Sequence, residues 1–291
     1  GIIIAIIVIV DLFIAGISFN KSPQNPSEIY KLSPQLKSLL EPKLPKEIFR
    51  VNARIYQPVS FMPFQRNQGL VDNIMLIEGY NPLVLQRAKP PINDTKTIFD
   101  LYNIKYQLNV DLEKGSWSFV ERDSYLNRAY LVNQFRVMPD SLLKEKMSNE
   151  QIDYRNTVVL EEKPDINMPE FKDTIPDKIV CEEFQSNYSR YSTKNSQPSI
   201  LVFSEIWYPG WKVYVNSKPE KLFRANYCFM SVGLDKGMNK VELKFEPDTF
   251  YTGLYISLIT IFGSIIGVLI SFKYENNLNL LNFKHKKREE S

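Results

Sequence analysis

The sequence is poor in the residues on which many metal sites and catalytic sites depend. It has two cysteines and one histidine, His285, in 291 residues. Two cysteines are too few for a disulfide framework or a cysteine-rich zinc site. A single histidine in a polar tail argues against His-based metal sites and catalytic triads. We therefore expect no metal and no cofactor, and the composition argues against a self-contained enzyme.

The chain also lacks an excess of charge of one sign. Its 36 Lys and Arg residues face 33 Asp and Glu residues, which leaves a net charge of +3. Because no long basic block occurs before the last few residues, we expect no nucleic-acid partner. The composition, 44% hydrophobic and 24% charged, is that of a globular protein and excludes a disordered, collagen-like or coiled-coil chain.

Two long apolar runs lie at the ends of the sequence. Phe250–Phe272 contains no charged residue, and about 20 such residues cross the hydrocarbon core of a bilayer as a helix. Tyr251 and Tyr255 lie at its upstream end, where aromatic side chains favour the headgroup layer. We therefore predict a transmembrane helix at 250–272.

The first run, 1–19, is interrupted only by Asp11 and is not preceded by the basic residues of a signal peptide. We expect it to be the end of a transmembrane helix and the chain to be a piece of a longer protein. Basic residues follow the second run, so the positive-inside rule predicts a cytoplasmic tail at 273–291 and an outer location for 20–249.

The segment between the two runs predicts an α+β fold. Residues 20–165 are expected to form an extracytoplasmic mixed α/β region, with strands at Ile48–Ile55, Ile104–Val110 and Ala129–Val137. Residues 166–249 carry short strands separated by turn residues, which predicts a small antiparallel β-sandwich. The whole would be flanked by transmembrane helices.

The strands of the second part are read from period-two alternation. Val241, Leu243 and Phe245 alternate with charged residues in Lys240–Phe245, as in a half-buried antiparallel strand. The other predicted strands are Lys178–Phe184, Ile200–Ile206, Lys212–Val215, Lys221–Arg224 and Cys228–Val232. Asn216-Ser217 lies where a tight hairpin turn is needed.

Several motifs together carry a resemblance to a known family. They are Ser204-Glu205, Tyr208-Pro209-Gly210-Trp211, Arg224-Ala225-Asn226-Tyr227, Asp11-Leu12, Gly79-Tyr80-Asn81-Pro82 followed by Arg87, Tyr102-Asn103-Ile104-Lys105-Tyr106, and Asn127-Arg128-Ala129-Tyr130. A glycine turn, a last strand, a proline and the terminal span follow the first three. With these features the chain resembles the C-terminal end of the bacterial YfhO family of multi-spanning membrane proteins.

The resemblance implies a bacterial cell-membrane protein with many more N-terminal spans, similar to polytopic glycosyltransferases that use lipid-linked sugars. In such enzymes the catalytic carboxylate would lie upstream of Gly1, so no catalytic residue is expected here. The chain would position a glycan acceptor or a lipid-linked sugar donor for that missing transmembrane module. The partners implied are membrane lipid, the lipid-linked sugar or envelope glycan, and the module itself. The alternative is a non-catalytic, membrane-anchored binding or scaffold module for envelope polymer assembly or transport.

Two groups of side chains are candidates for glycan binding. Trp207, Tyr208 and Trp211 flank a Pro-Gly turn and could stack on sugar rings, although the alternation of Trp211 with two valines also fits a core position. Glu205 and Arg224 could bind sugar hydroxyls or phosphate, or could form a structural ion pair between neighbouring strands.

Three further side chains, Tyr80, Arg87 and Arg128, are candidates for contact with a lipid-phosphate headgroup, and structural roles next to turns remain open for each. Cys181 and Cys228 fall on predicted strands outside the cytoplasm. A disulfide between them and two buried thiols are both compatible with the sequence.

Overall fold

The protein combines helices at its ends with β-sheets between them. The structure is a computed structural model, and it describes residues 2–19, 25–34, 36, 48–53, 64, 67–77, 84–166 and 178–289. The helices are α1 (Ile2–Phe19), α2 (Pro26–Ile29), α3 (Gln68–Asp72), α4 (Thr95–Leu101), α5 (Asp140–Asn149) and α6 (Asp248–Glu289). The predicted α+β fold class is confirmed.

The strands are between three and nine residues long. They are β1 (Arg50–Asn52), β2 (Ile104–Asp111), β3 (Ser116–Glu121), β4 (Ala129–Val132), β5 (Gln134–Val137), β6 (Thr157–Leu160), β7 (Lys178–Gln185), β8 (Tyr188–Asn195), β9 (Ser199–Ile206), β10 (Trp211–Val215), β11 (Lys218–Glu220), β12 (Phe223–Ala225), β13 (Phe229–Leu234) and β14 (Gly237–Phe245).

These strands form a three-stranded sheet in the order β1-β2-β3, a six-stranded sheet in the order β4-β9-β13-β12-β6-β5, and a five-stranded sheet in the order β11-β10-β14-β8-β7. In the six-stranded sheet β5 and β6 are parallel, whereas β9 is antiparallel to both β4 and β13. This sheet takes strands from both sides of the predicted boundary at residue 165, and the boundary itself stays a prediction.

The chain divides into two compact units. The first comprises Gly1–Ile179, Thr193–Trp207 and Phe223–Asn239, and the second comprises Val180–Ser192, Tyr208–Leu222 and Lys240–Ser291. The first unit has a core in which the six-stranded sheet buries residues such as Val202 and Phe229, and a second core beneath β1 and β2.

Local sequence signals account for several of these elements. Asp94 caps α4 by accepting hydrogen bonds from the backbone of Lys96 and Thr97, and these bonds with the Thr97 hydroxyl lower the pKa of the Asp94 carboxyl. Asn216 and Ser217 both adopt positive φ, at 51° and 67°, which is the hairpin geometry that joins β10 to β11. In β14, Val241 and Leu243 are fully buried, as their alternation predicts.

The C-terminal helix is the part of the fold with membrane character. Within the described residues, one helical segment, Asp248–Glu275, is long and apolar enough to cross a membrane, with a mean hydropathy of 2.3 over its most apolar window. Its large apolar side chains are exposed. Helix α1 contains a shorter apolar stretch, Ile4–Ile17.

A candidate arginine–aromatic site

Two arginines of the first unit share one carboxylate. Arg87 Nη1 lies 2.5 Å from Glu161 Oε1, and Arg224 Nη1 lies 3.6 Å from the same oxygen. Another guanidinium nitrogen of Arg87 binds the exposed carboxylate of Asp140. The side chains of Arg87, Arg224 and Glu161 are between 19% and 26% exposed, so the group is open to solvent at one side.

Each of these arginines also rests on an aromatic ring. The guanidinium carbon of Arg224 lies 4.1 Å from the centroid of the Trp207 ring, and that of Arg87 lies 4.9 Å from the Tyr227 ring. Both distances are typical of cation–π interactions. We call the five residues Arg87, Glu161, Trp207, Arg224 and Tyr227 the arginine–aromatic cluster.

The backbone that carries Tyr227 is fixed by one buried asparagine. Asn226 and Tyr227 adopt φ values of 45° and 77° in the turn between β12 and β13. The Asn226 side chain accepts a hydrogen bond from the Val159 backbone at 2.9 Å and donates one to the Tyr130 hydroxyl. Its backbone N–H donates to the Val159 carbonyl. Because Asn tolerates this backbone region better than most residues, the Arg-Ala-Asn-Tyr motif is well suited to this turn.

The buried side of the cluster is uncharged. The backbone N–H of Trp207 donates to the Cys228 carbonyl at 2.7 Å, which fixes the end of β9 next to this turn. Burial raises the pKa of the Cys228 thiol to about 12 and raises the pKa of the Tyr102 phenol, whose hydroxyl donates to the Ala88 carbonyl. Both groups therefore stay neutral at physiological pH and do not compensate the charge of the arginines.

The sequence-based pairing of Glu205 with Arg224 is wrong. Glu205 Oε1 accepts from Nε of Arg128 at 2.5 Å, and its other oxygen lies 3.4 Å from Arg50 Nη2. Arg50 also donates to the Ser204 hydroxyl and the Tyr102 carbonyl. The side chains of Arg128, Arg50 and Glu205 are 9%, 13% and 20% exposed, so this is a largely buried structural ion group.

The three aromatic residues around the Pro-Gly turn are divided between the two units. Trp207 belongs to the first unit, and Tyr208 and Trp211 belong to the second. Trp211 is half-buried with its ring 5.3 Å from that of Phe245, and Tyr208 is 47% exposed with its ring 6.3 Å from Phe245. Trp207 is therefore the member of this trio that lies in the arginine–aromatic cluster.

The predicted headgroup residues have different surroundings. Arg87 contacts Glu161 and Asp140, Arg128 contacts Glu205, and Tyr80 lies outside the described residues. Cys181 and Cys228 are not joined by a disulfide; Cys228 is buried and Cys181 is partly buried.

Sequence reasoning did not single out Glu161 or the role of Tyr227. Glu161 directly follows a fully buried strand and begins a polar linker, and nothing local marks it as a partner of two arginines. Tyr227 belongs to the Arg-Ala-Asn-Tyr motif, and this motif is the sequence feature that could have pointed to Tyr227. In the described part of the chain, no group of three His, Cys, Asp or Glu residues is arranged to hold a metal ion.

Part of the chain is similar to a known protein family. Residues 143–257 match the family model described as "Bacterial membrane protein YfhO". The matched stretch covers less than half of the chain. Glu161, Trp207, Arg224 and Tyr227 lie inside the matched residues, and Arg87 lies upstream of them. The match reaches into α6, whose apolar segment fits a bacterial membrane protein.

A relative in Bacillus subtilis (strain 168), named "Uncharacterized protein YfhO", is 27% identical to this chain over 78 residues. The aligned part covers 27% of this chain and 9% of that relative, so this chain spans a small share of the relative's length. No solved structure matches the chain. The comparisons thus show that residues 143–257 are similar to a family of bacterial membrane proteins.

Proposed function

We propose that this chain is the extracytoplasmic C-terminal region of a glycosyltransferase-like membrane protein of the bacterial envelope. It would hold a glycan acceptor or a lipid-linked sugar donor at the arginine–aromatic cluster. The catalytic groups would belong to a transmembrane module outside this chain. Residues 20–249 would lie outside the cytoplasm, with the basic tail inside.

The observation that carries this proposal is the contact of Arg224 with Trp207. Within the described residues, Arg224 has that ring and the 3.6 Å ion pair with Glu161 as its contacts. An ion pair of that length leaves the N–H donors of the guanidinium able to bind another acceptor. A planar guanidinium binds phosphate or carboxylate through two parallel hydrogen bonds.

The rest of the cluster has the chemistry of a sugar-phosphate site. The rings of Trp207 and Tyr227 offer faces of the kind that stack on sugar C–H surfaces, and the Glu161 carboxylate can accept hydrogen bonds from sugar hydroxyls. Arg87 adds a second cation beside the same carboxylate. A polyprenyl-phosphate sugar and an anionic envelope glycan both combine an anion with sugar rings.

The test is ligand binding to the full chain reconstituted in nanodiscs. The probes are a polyprenyl-phosphate-linked hexose, the free hexose 1-phosphate, and an array of envelope glycans. We expect binding to be lost in Trp207→Ala and strongly weakened in Arg224→Lys, which keeps the charge but loses the bidentate geometry. Arg190→Lys is the matched control, because Arg190 pairs with Glu182 in the second unit.

Two outcomes would contradict the proposal. Binding that survives Trp207→Ala in a folded chain would remove the cluster from the site. Absence of binding to every probe by the folded native chain would favour the alternative, a non-catalytic scaffold module for envelope polymers.

A further inference from the structure

The turn at 208–211 contacts the residues around the start of the C-terminal helix α6. The Gly210 carbonyl accepts a hydrogen bond from the Glu246 N–H at 2.6 Å. The Trp211 ring packs on Phe245, and Lys212 Nζ lies 3.1 Å from the carboxylate of Asp248, the first residue of α6. The turn and the beginning of β10 therefore have a fixed position relative to α6.

Gly210 brings the turn into direct contact with the backbone before the helix. Its φ is +109°, and a Cβ atom at this position would lie 2.9 Å from Pro247 Cα and 3.0 Å from the Phe245 ring. Only glycine combines this backbone conformation with so close an approach. The turn thus touches Pro247 without an intervening side chain.

The position of Pro247 fixes the depth of the turn in a bilayer. The uncharged segment of α6 begins at Phe250, three residues after Pro247. At about 1.5 Å of rise per helical residue, Pro247 lies about 4.5 Å from the start of that segment. The headgroup layer on each side of the hydrocarbon core is about 5–8 Å thick. Atoms in contact with Pro247 therefore lie within the headgroup layer when α6 spans the membrane.

The side chains of this region have the composition of a membrane interface. Tyr208 is 47% exposed, and the first residues of the span, Phe250, Tyr251 and Tyr255, are between 44% and 62% exposed. Aromatic side chains with a polar end concentrate at this level of a bilayer. Lys212, beside the turn, has a long apolar stem and a charged head that suit the same layer.

We propose that the Tyr208–Trp211 turn is a second membrane anchor, which inserts Tyr208 and Trp211 into the lipid headgroup layer beside α6. The partner is the phospholipid surface. The turn would fix how the five-stranded sheet of the second unit stands on the bilayer. This proposal does not depend on glycan binding at the arginine–aromatic cluster.

The experiment is depth-dependent fluorescence quenching of the full chain in phosphatidylcholine vesicles. Trp117→Phe and Trp207→Phe leave Trp211 as the single reporter. The vesicles contain a lipid with a nitroxide on its headgroup, in both leaflets. We expect Trp211 to be quenched several-fold more than a matched reporter, Lys218→Trp, made in a chain whose three tryptophans are replaced by phenylalanine.

Lys218 is a suitable control position because it is exposed and belongs to the same sheet. Lys218 pairs with Val215, the last residue of β10. Val215 is four residues from Trp211, which is about 13 Å along the strand. Tyr208→Trp in the same tryptophan-free chain is a second reporter, because Trp211 is partly shielded by Phe245. If Trp207→Phe unfolds the chain, the difference between the native chain and Trp211→Phe reports Trp211 alone.

Stronger quenching of Trp211 or of Tyr208→Trp than of Lys218→Trp would support the anchor. If neither reporter is quenched more than Lys218→Trp, the turn has no special contact with lipid and the proposal is overturned. Equal strong quenching at all three positions would also overturn it, since the whole sheet would then lie at the surface.

Discussion

Arg128, the residue before β4, forms a short, largely buried ion pair with Glu205 of the neighbouring strand β9. The Arg128 Nε and Glu205 Oε1 atoms are 2.5 Å apart, and the Ser204 N–H donates to the Arg128 carbonyl at 2.8 Å. Arg50 binds the second carboxylate oxygen from the end of the three-stranded sheet. One carboxylate thus connects two arginines from separate sheets of the first unit.

Glu205→Gln should destabilise the first unit strongly. The amide would remove the negative charge that contacts both Arg128 and Arg50, whose side chains are only 9% and 13% exposed. Removing one partner of a buried pair costs about 3–5 kcal/mol of unfolding free energy. The measurement is urea unfolding of the detergent-solubilised chain, followed by tryptophan fluorescence.

Glu150→Gln is the matched control for this change. Glu150 also contacts two cations, Arg136 at 3.2 Å and Lys146 at 3.7 Å, but all three side chains are between 39% and 50% exposed. We expect it to cost less than about 1 kcal/mol. If both variants lose the same unfolding free energy, the buried ion pairs of Glu205 stabilise the fold no more than the exposed pairs of Glu150.

The error about the partner of Glu205 shows where sequence reasoning stops. The sequence predicts that Glu205 and Arg224 lie on strands of one module. In the sheet order β4-β9-β13-β12, however, β13 separates the strand of Glu205 from that of Arg224. Two strand spacings amount to about 10 Å. Strand order follows from long-range pairing, which local alternation cannot reveal.

Individual strands were predicted best where large apolar residues alternate with charged ones. Lys240–Phe245 lies inside β14, and Ile200–Ile206 agrees with β9 to one residue. Strand β8 was missed because its buried positions include the small polar residues Ser189 and Thr193. Its polar sequence looks like a loop until the neighbouring strands cover one face.

Replacing Asn226 tests how the cluster is positioned. Asn226→Gly keeps the backbone freedom that φ of 45° requires but removes the acceptor of the buried Val159 N–H. An unsatisfied buried donor costs about 1–3 kcal/mol, and we expect that loss in urea unfolding.

Asn226→Ala should cost about 1–2 kcal/mol more than Asn226→Gly, because alanine resists the left-handed conformation. If both variants retain native stability, the turn does not depend on the Asn226 side chain. Binding of the sugar-phosphate probes should weaken in each, since Tyr227 directly follows Asn226 and Arg224 lies two residues before it.

Gly210→Ala should destabilise the second unit through two separate effects. Alanine at φ of +109° is strained, which costs about 1–3 kcal/mol. The Cβ atom would also displace Pro247, and such overpacking adds about 1–3 kcal/mol. The measurement is thermal unfolding in nanodiscs, followed by near-ultraviolet circular dichroism.

Gly237→Ala separates the two effects. Gly237 has a similar φ of +118°, but no atom lies within 4 Å of the Cβ position. We expect this variant to show the loss from backbone strain alone, and Gly253→Ala, at an open helical position without positive φ, to show none. If Gly210→Ala and Gly237→Ala lose the same stability, the close approach to Pro247 contributes nothing.

Cys228 should make the folded chain lose stability at alkaline pH. The folded pKa of its thiol is raised to about 12 by burial, above the ordinary value of about 8.5. Between these values the unfolded chain has released the proton while the folded chain keeps it. The unfolding free energy therefore falls as pH rises, by at most about 1.4 kcal/mol per pH unit from this residue.

The measurement is the unfolding free energy of the native chain and of Cys228→Ala at intervals from pH 7 to pH 10. Below about pH 10, the buried tyrosines Tyr102, Tyr130 and Tyr154, whose pKa values are also raised by burial, contribute little because unfolded tyrosines are still protonated. Above about pH 8.5 the unfolding free energy of the native chain should therefore fall more steeply with pH than that of the variant. Below that pH the two should change in parallel. If the two plots of unfolding free energy against pH stay parallel over the whole range, the thiol is accessible to solvent in the folded state. The description of the buried side of the arginine–aromatic cluster as uncharged would then be wrong.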